Sequence, residues 1–312
     1  MKTKPLTKKA TGKTTTNKGF TVQKYIFLAA ILIIPILNWV LFWLVVNVQS
    51  IVLAFKDAVT NEFTWYNFEY FWDELTLPNG EIGMAIGNTM KYFFSNILIV
   101  VPLSLFIAFF LYKKIWGANF FHVVFYLPAI ISSVALVQVY TQLLSANGPI
   151  AHILGDANPI PPEGLFARPE TATSMIVLYT VWTGFSSNII LFIGAMTRIP
   201  IEILEAAKLE GCKPLREFIS IVFPMIWPTF STMFILAFTG LFSSSGPILL
   251  FGANSRSLQT TTISFWIFRM VYEGGVIGAN AVSAAGLCFT VVAVPIILFV
   301  RWLAEKVPEV EY

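Results

Sequence analysis

The sequence predicts an all-α, polytopic membrane protein with six transmembrane helices. Three observations carry this. Of the 312 residues, 56% are apolar and 12% are charged, about half the charged share of a soluble domain; the mean hydropathy is +0.74. Six apolar stretches are each long enough to cross roughly 30 Å of hydrocarbon, which takes about 20 residues. The remaining charges are segregated along the chain, as membrane topology requires. A disordered chain, a disulfide scaffold and an ordinary soluble enzyme are all disfavoured.

The tail, residues 1–24, is rich in Lys and Thr and reads as disordered. The apolar run after it is too long for a signal peptide and lacks a small-x-small cleavage site, so it reads as an uncleaved anchor. Gly12-Lys13-Thr14 imitates the end of a phosphate-binding loop. Thr7 stands where the first glycine of that motif belongs, and no strand precedes it, so no nucleotide site is expected.

The first span covers residues 25–50, within a first-helix segment 25–55. The others cover 86–112, 120–144, 173–196, 225–251 and 279–304, and residues 305–312 form a second tail. Pro35, Pro102, Pro128, Pro228 and Pro295 fall inside spans, where neighbouring groups satisfy the freed carbonyls.

With the N-terminus in the cytoplasm, 15 of the 20 Lys and Arg lie inside, including Lys113, Lys114, Lys208, Lys213 and Arg216. Outside lie Lys56, Lys91, Arg168, Arg256 and Arg269. Six acids, from Asp57 to Glu81, cluster in the first outer loop. The positive-inside rule therefore places both termini in the cytoplasm. Cys212 and Cys288 fall on different elements and read as small inert residues. No cluster has metal-ligand spacing. No metal, cofactor or nucleic-acid partner is expected; membrane lipid is.

The most patterned segment is the inner loop 197–224. Pro200 suits the first position of a helix, and Glu202 and Glu205 lie near its positive end. Ile203, Leu204 and Ala207 form an apolar face. Gly211 supplies a left-handed stop, and Pro214 starts a second helix. The pattern predicts helix, glycine turn, helix along the membrane surface. Ala206 and Ala207 leave room for another surface to approach. Short amphipathic helices also simply rest on the interface, and periodicity alone does not decide between these.

The literal string adds to this reading. Glu205-Ala206-Ala207, then Gly211, then Ile221 and Phe223-Pro224 resembles the EAA motif of ABC importer permeases, with Phe223 standing where Leu is usual. Trp65 to Tyr70, Asn88-Thr89, Phe125-Tyr126-Leu127-Pro128, Gly148-Pro149, Trp182 with Gly184-Phe185, and Arg198-Ile199-Pro200 also resemble the sugar-type, maltose-permease-like group. The resemblance covers nearly the whole chain and is weakest in the sixth span. It implies the type I permease fold, with a five-helix core at 84–304 and a coupling helix at about 200–212. It further implies that Glu205, Ala206, Ala207, Gly211 and Pro224 couple this chain to two cytoplasmic ABC ATPase subunits. A second homologous permease subunit and an extracytoplasmic solute-binding protein would complete the system. The chain itself would carry no catalytic residue, since ATP is hydrolysed by its partners.

For cargo, the spans show no obvious buried ion pair, which favours a neutral solute. Sugars are met by hydroxyl, amide and aromatic groups. Such groups occur at Thr180, Trp182, Thr183, Ser186, Ser187 and Asn188, and at Thr239, Phe242 and residues 243–245. The resemblance points to Thr180, Trp182, Thr183, Gly184, Ser187, Thr239 and Phe242 as cavity-facing. Ser and Thr in membrane helices also pack between helices or bond their own backbone. Gly274, Gly275 and Gly278 read as close-packing residues at the start of span six. An oligosaccharide importer is the expected function. A different neutral solute, a stand-alone channel or an intramembrane protease are alternatives. The protease lacks a Gly-x-Ser-Gly nucleophile, and the carrier lacks evident inverted repeats.

Overall fold

The computed structural model describes residues 18–154, 160–161, 164–166, 168–242, 246–251 and 260–307. The lysines before residue 17, serines 243–245, Pro159, Pro162, Arg256 and residues 308–312 lie outside them. Two units are distinguished, Met1–Val52 and Leu53–Tyr312. Among the described residues the structure is helical, with one isolated antiparallel bridge between Lys56 and Phe63.

Four helices are long and apolar enough to cross a membrane: α1 (Val22–Ala54), α3 (Glu81–Tyr112), α7 (Thr171–Met196) and α12 (Ile263–Glu305). Two bent pairs qualify together: α4 (Ala118–Ile130) with α5 (Ser133–Leu143), and α9 (Pro214–Met225) with α10 (Trp227–Phe242). Shorter helices are α2 (Tyr66–Thr76), α6 (Pro149–Leu154), α8 (Ile201–Leu209) and α11 (Gly246–Phe251).

Two of the prolines leave the same mark on their helices. A helical proline lacks an N–H and its ring crowds the carbonyl four residues earlier. Around Leu98 and Ser220, four residues before Pro102 and Pro224, the chain relaxes into π-helical segments, Asn96–Val100 and Phe218–Val222. In α1 a third such segment, Trp39–Val45, is accompanied by an Asn47 side-chain amide donating to the Trp43 carbonyl at 2.6 Å.

Two predicted spans differ from the structure. The third, 120–144, turns by 110° between α4 and α5, because Ile131 and Ser132 are extended and Ser132 begins a new helix. The fifth, 225–251, starts where predicted, at a 74° bend at Ile226 between Pro224 and Pro228, but its end is the separate α11. The sixth, 279–304, falls within the helical stretch that follows a sharp fold at Gly275, where φ is 55° and ψ −135°, and a further helical arm from Ile263 precedes that fold. The fold brings the Met270 carbonyl against Gly278, so that a Cβ there would collide with backbone. Gly278→Ala should therefore cost roughly 3 kcal/mol of stability. A purified variant melting like the parent would refute this reading of the fold-back.

α3 and α7 pack against each other more extensively than any other pair of helices. Gly184 lets them approach: a Cβ there would meet Val100 Cγ1 at 3.0 Å. Their lower halves form the main core, with Phe109, Phe192 and Met196 fully buried beside Leu204 of α8 and Val222 of α9. A second cluster joins Phe71 of α2, Ile82 of α3 and Trp266 of α12.

Side-chain amides tie this second end together. Asn67, inside the Trp65–Tyr70 string, donates to the carbonyls of Ala54 and Lys56 at 3.0 and 2.9 Å. Asn280 donates to the same Lys56 carbonyl at 2.8 Å. Asn88 donates to the Thr261 carbonyl at 3.0 Å, and Thr89 Oγ1 accepts from the Ile263 N–H at 3.0 Å. The Asn88-Thr89 pair of the sequence thus anchors the start of α12 to α3. Arg269 of α12 pairs with Glu81 at the start of α3 and, at 3.8 Å, with Glu273. In the loop before α2, the backbone N–H groups of Thr60 and Val59 hold the Asp57 carboxyl below its ordinary range.

Candidate functional site

Two features stand out, a polar cavity between helices and the turn at the end of α8. The cavity has a volume of about 480 Å³. α3 contributes Thr89, Tyr92, Phe93 and Asn96, whose spacing of three or four residues puts them on one helical face. α7 contributes Thr180, Gly184, Ser187 and Asn188 by the same spacing. Leu236, Gly240 and Thr262 help close it. Among the described residues, no Asp, Glu, Lys or Arg lines it. Tyr92 is 7% exposed, and its buried hydroxyl has no hydrogen-bond partner among the described residues.

Of the seven residues expected at a cavity, Thr180, Gly184 and Ser187 line this one. The other four lie elsewhere. Trp182 faces Tyr140 and Tyr179, with ring centroids 6.3 and 6.2 Å away. Thr183 bonds the Tyr179 carbonyl of its own helix at 3.0 Å. Thr239 bonds the Leu236 carbonyl at 2.8 Å and is exposed. Phe242 stacks on Phe289 at 5.2 Å. Ser186, named with them, donates to the Phe125 carbonyl at 2.6 Å and so joins α7 to α4. Sequence reasoning missed Tyr92, Phe93 and Asn96. The signal was present in their helical register with Thr89.

The second feature starts from α8. Pro200 precedes the helix as its N-cap instead of opening it. The inner face buries Leu204 and Ala207, while Glu205 and Ala206 are exposed. Leu209 is 90% exposed, a bare apolar knob at the helix end. Gly211 has φ +74°. Its N–H bonds the Lys208 carbonyl at 3.0 Å, and the Cys212 N–H bonds the Ala207 carbonyl at 2.9 Å. These are the two bonds of a Schellman C-cap. The chain then enters α9. Behind the turn lies a cleft of about 670 Å³ that includes Ala206, Ala207, Gly211 and Arg216.

Pro224 does not share this surface. It lies within α9, just before the bend at Ile226. Phe223, where the motif usually has Leu, packs against Phe230 at 5.2 Å and Trp227 at 5.7 Å, so its extra volume is used. Below the turn, Glu217 is 1% exposed, and both its oxygens accept from Lys113 Nζ, at 2.6 and 2.8 Å. This pair joins α9 to the end of α3.

A multi-pass helical bundle with a polar cavity between spans, and a rigid glycine-capped helix presented at one end, is a transport component of the membrane. Residues 76–308 match the family described as binding-protein-dependent transport system inner membrane component. The chain belongs to this family and is a permease subunit of an ABC importer. It is 24% identical over 280 residues to the multiple sugar-binding transport system permease protein MsmF of Streptococcus mutans, covering 88% of this chain and 94% of that one. It is 28% identical over 220 residues to the sn-glycerol-3-phosphate transport system permease protein UgpA of Salmonella typhimurium, covering 69% and 71%. Its fold is similar to that of a bacterial alginate ABC transporter crystallised with an alginate pentasaccharide-bound periplasmic protein. There the TM-score is 0.76 and the identity 20%, over 92% of this chain and 97% of that one.

Proposed function

We propose that this permease imports a carbohydrate, an oligosaccharide delivered by an extracytoplasmic solute-binding protein, across the bacterial cell membrane. The lining of the cavity carries the proposal. It offers hydroxyls (Thr89, Thr180, Ser187), amides (Asn96, Asn188) and aromatic rings (Tyr92, Phe93), and among the described residues no fixed charge. Asn96, Ser187 and Asn188 offer the polar groups a cargo hydroxyl would meet. MsmF is named for sugars, which supports the same class. UgpA is named for a phosphorylated cargo, and an uncharged lining argues against that here.

In this reading both termini are cytoplasmic, a second homologous permease subunit completes the path, and two ATPase subunits hydrolyse the ATP. Glu205, Ala206 and Gly211 form the surface that an ATPase grips, with Leu209 as an apolar anchor in its groove. Ala207 and Leu204 seat the same helix on the core. Pro224 acts at a distance, by setting the bend of α9.

The test is uptake by cells with and without the gene, using a labelled neutral oligosaccharide, a labelled uronate oligosaccharide and labelled glycerol phosphate. Neutral oligosaccharide uptake should vanish with the gene. Ser187→Trp, which fills the cavity, should lower it by about tenfold or more, a barrier of 1.4 kcal/mol. Loss of an anion instead would overturn the cargo assignment.

A further inference from the structure

A groove of about 1060 Å³ runs between the end of α3, the turn before α4 and the face of α8 that carries Ile201, Leu204 and Lys208. Lys113, Lys114, Lys208 and His122 line it, and no acidic residue does among the described residues. Glu217 already neutralises Lys113. Lys114 and Lys208 are exposed and make no ion pair among the described residues. The turn that carries Lys114 is unusual, because this lysine has φ 52°, a region residues other than Gly rarely enter. Two residues on, Trp116 is 96% exposed, and Phe120 of α4 is 68% exposed. Water alone does not favour so bare a Trp with an exposed Phe four positions on. Trp is favoured at the headgroup level of a bilayer, where its ring meets lipid and its N–H meets water.

We propose that this groove binds the phosphate headgroup of an anionic phospholipid of the inner leaflet. Lys114 and Lys208 hold the phosphate, Asn119 and His122 offer further polar contacts, and Trp116 and Phe120 lie against the acyl chains. Basic pockets at the inner ends of membrane helices suit such headgroups. One lysine comes from the end of the spans and the other from α8. A bound lipid would therefore bridge the transmembrane bundle and the coupling helix. The placement in the inner leaflet rests on the importer reading above.

The test is native mass spectrometry of the whole transporter, taken from nanodiscs of phosphatidylcholine with and without phosphatidylglycerol. The parent should retain phosphatidylglycerol selectively. Lys114→Ser and Lys208→Ser should each weaken retention by roughly fivefold and together by about 25-fold, with phosphatidylcholine unaffected. Equal phosphatidylglycerol retention by the parent and the double variant would overturn the proposal. So would millimolar inorganic phosphate displacing the lipid fully, since the site would then be one for a free anion. Loss of the ATPase from Lys208→Ser in either lipid would also overturn it, by assigning that lysine to the ATPase contact. If the parent itself carried no ATPase, the importer reading would fail, and lipid retention would still be measured on the permease.

Discussion

Gly211→Val should reduce ATP-driven uptake to background while leaving the protein in the membrane at near-parental levels. The reason is conformational. Apart from its two chain neighbours, nothing among the described residues lies within 4 Å of a Cβ built at Gly211, so the valine meets no packed side chain. It meets its own backbone. At φ +74° an L residue costs about 1–2 kcal/mol, and a branched Cβ costs more. The chain escapes by leaving the left-handed region, which breaks the Cys212–Ala207 and Gly211–Lys208 bonds and re-aims Leu209 and Glu205. The membrane core is untouched, so insertion survives. Gly211→Asn is the control, because asparagine tolerates this conformation, and it should keep most of the uptake. Measured uptake, ATPase stimulation and membrane abundance separate the outcomes. Full transport by the valine variant, or equal loss in both, would remove Gly211 from the coupling role.

Lys113→Met should be among the most damaging single changes at the α8 end. The Glu217 side chain is 2% exposed and its partner 20%. Removing one member leaves a buried carboxylate uncompensated, at a cost of about 3 kcal/mol or more. The double variant Lys113→Met with Glu217→Met should recover most of the melting temperature, since an apolar pair of similar volume is often neutral. Uptake need not recover with it. A restored melting temperature with impaired uptake would assign the pair to force transfer between α9 and α3. A single variant as stable as the parent would show that the pair contributes little.

Neither partner signals the other in sequence, since 104 positions separate them. What could be read directly were features with a local cause. Hydropathy located the spans, and the order of Glu205, Gly211 and Pro214 located a capped helix, its turn and the next helix. The bends were harder. Pro128 read as a tolerated proline inside one span, yet the turn falls three residues later, where Ile131 and Ser132 leave the helix. Gly275 read as a packing residue, because a glycine's use of positive φ is invisible until the backbone is known. The cavity was half legible. Ser187 and Thr180 were found by residue type, but so were Trp182 and Thr183, which share their segment and not their face. Tyr92 and Asn96 were overlooked in a helix that looked merely apolar.

The ties at the start of α12 bear on how such a transporter changes its diet. Thr89 lines the cavity and also holds the Ile263 amide, so altering it would loosen α12. Thr180 is likewise committed, to the Ile176 carbonyl. Asn96, Ser187 and Asn188 line the same space, and their side chains hold no other group among the described residues. Selection for a new cargo is therefore free to rewrite these three positions without disturbing the frame. Drift in cargo among relatives should concentrate there, while Thr89 stays put.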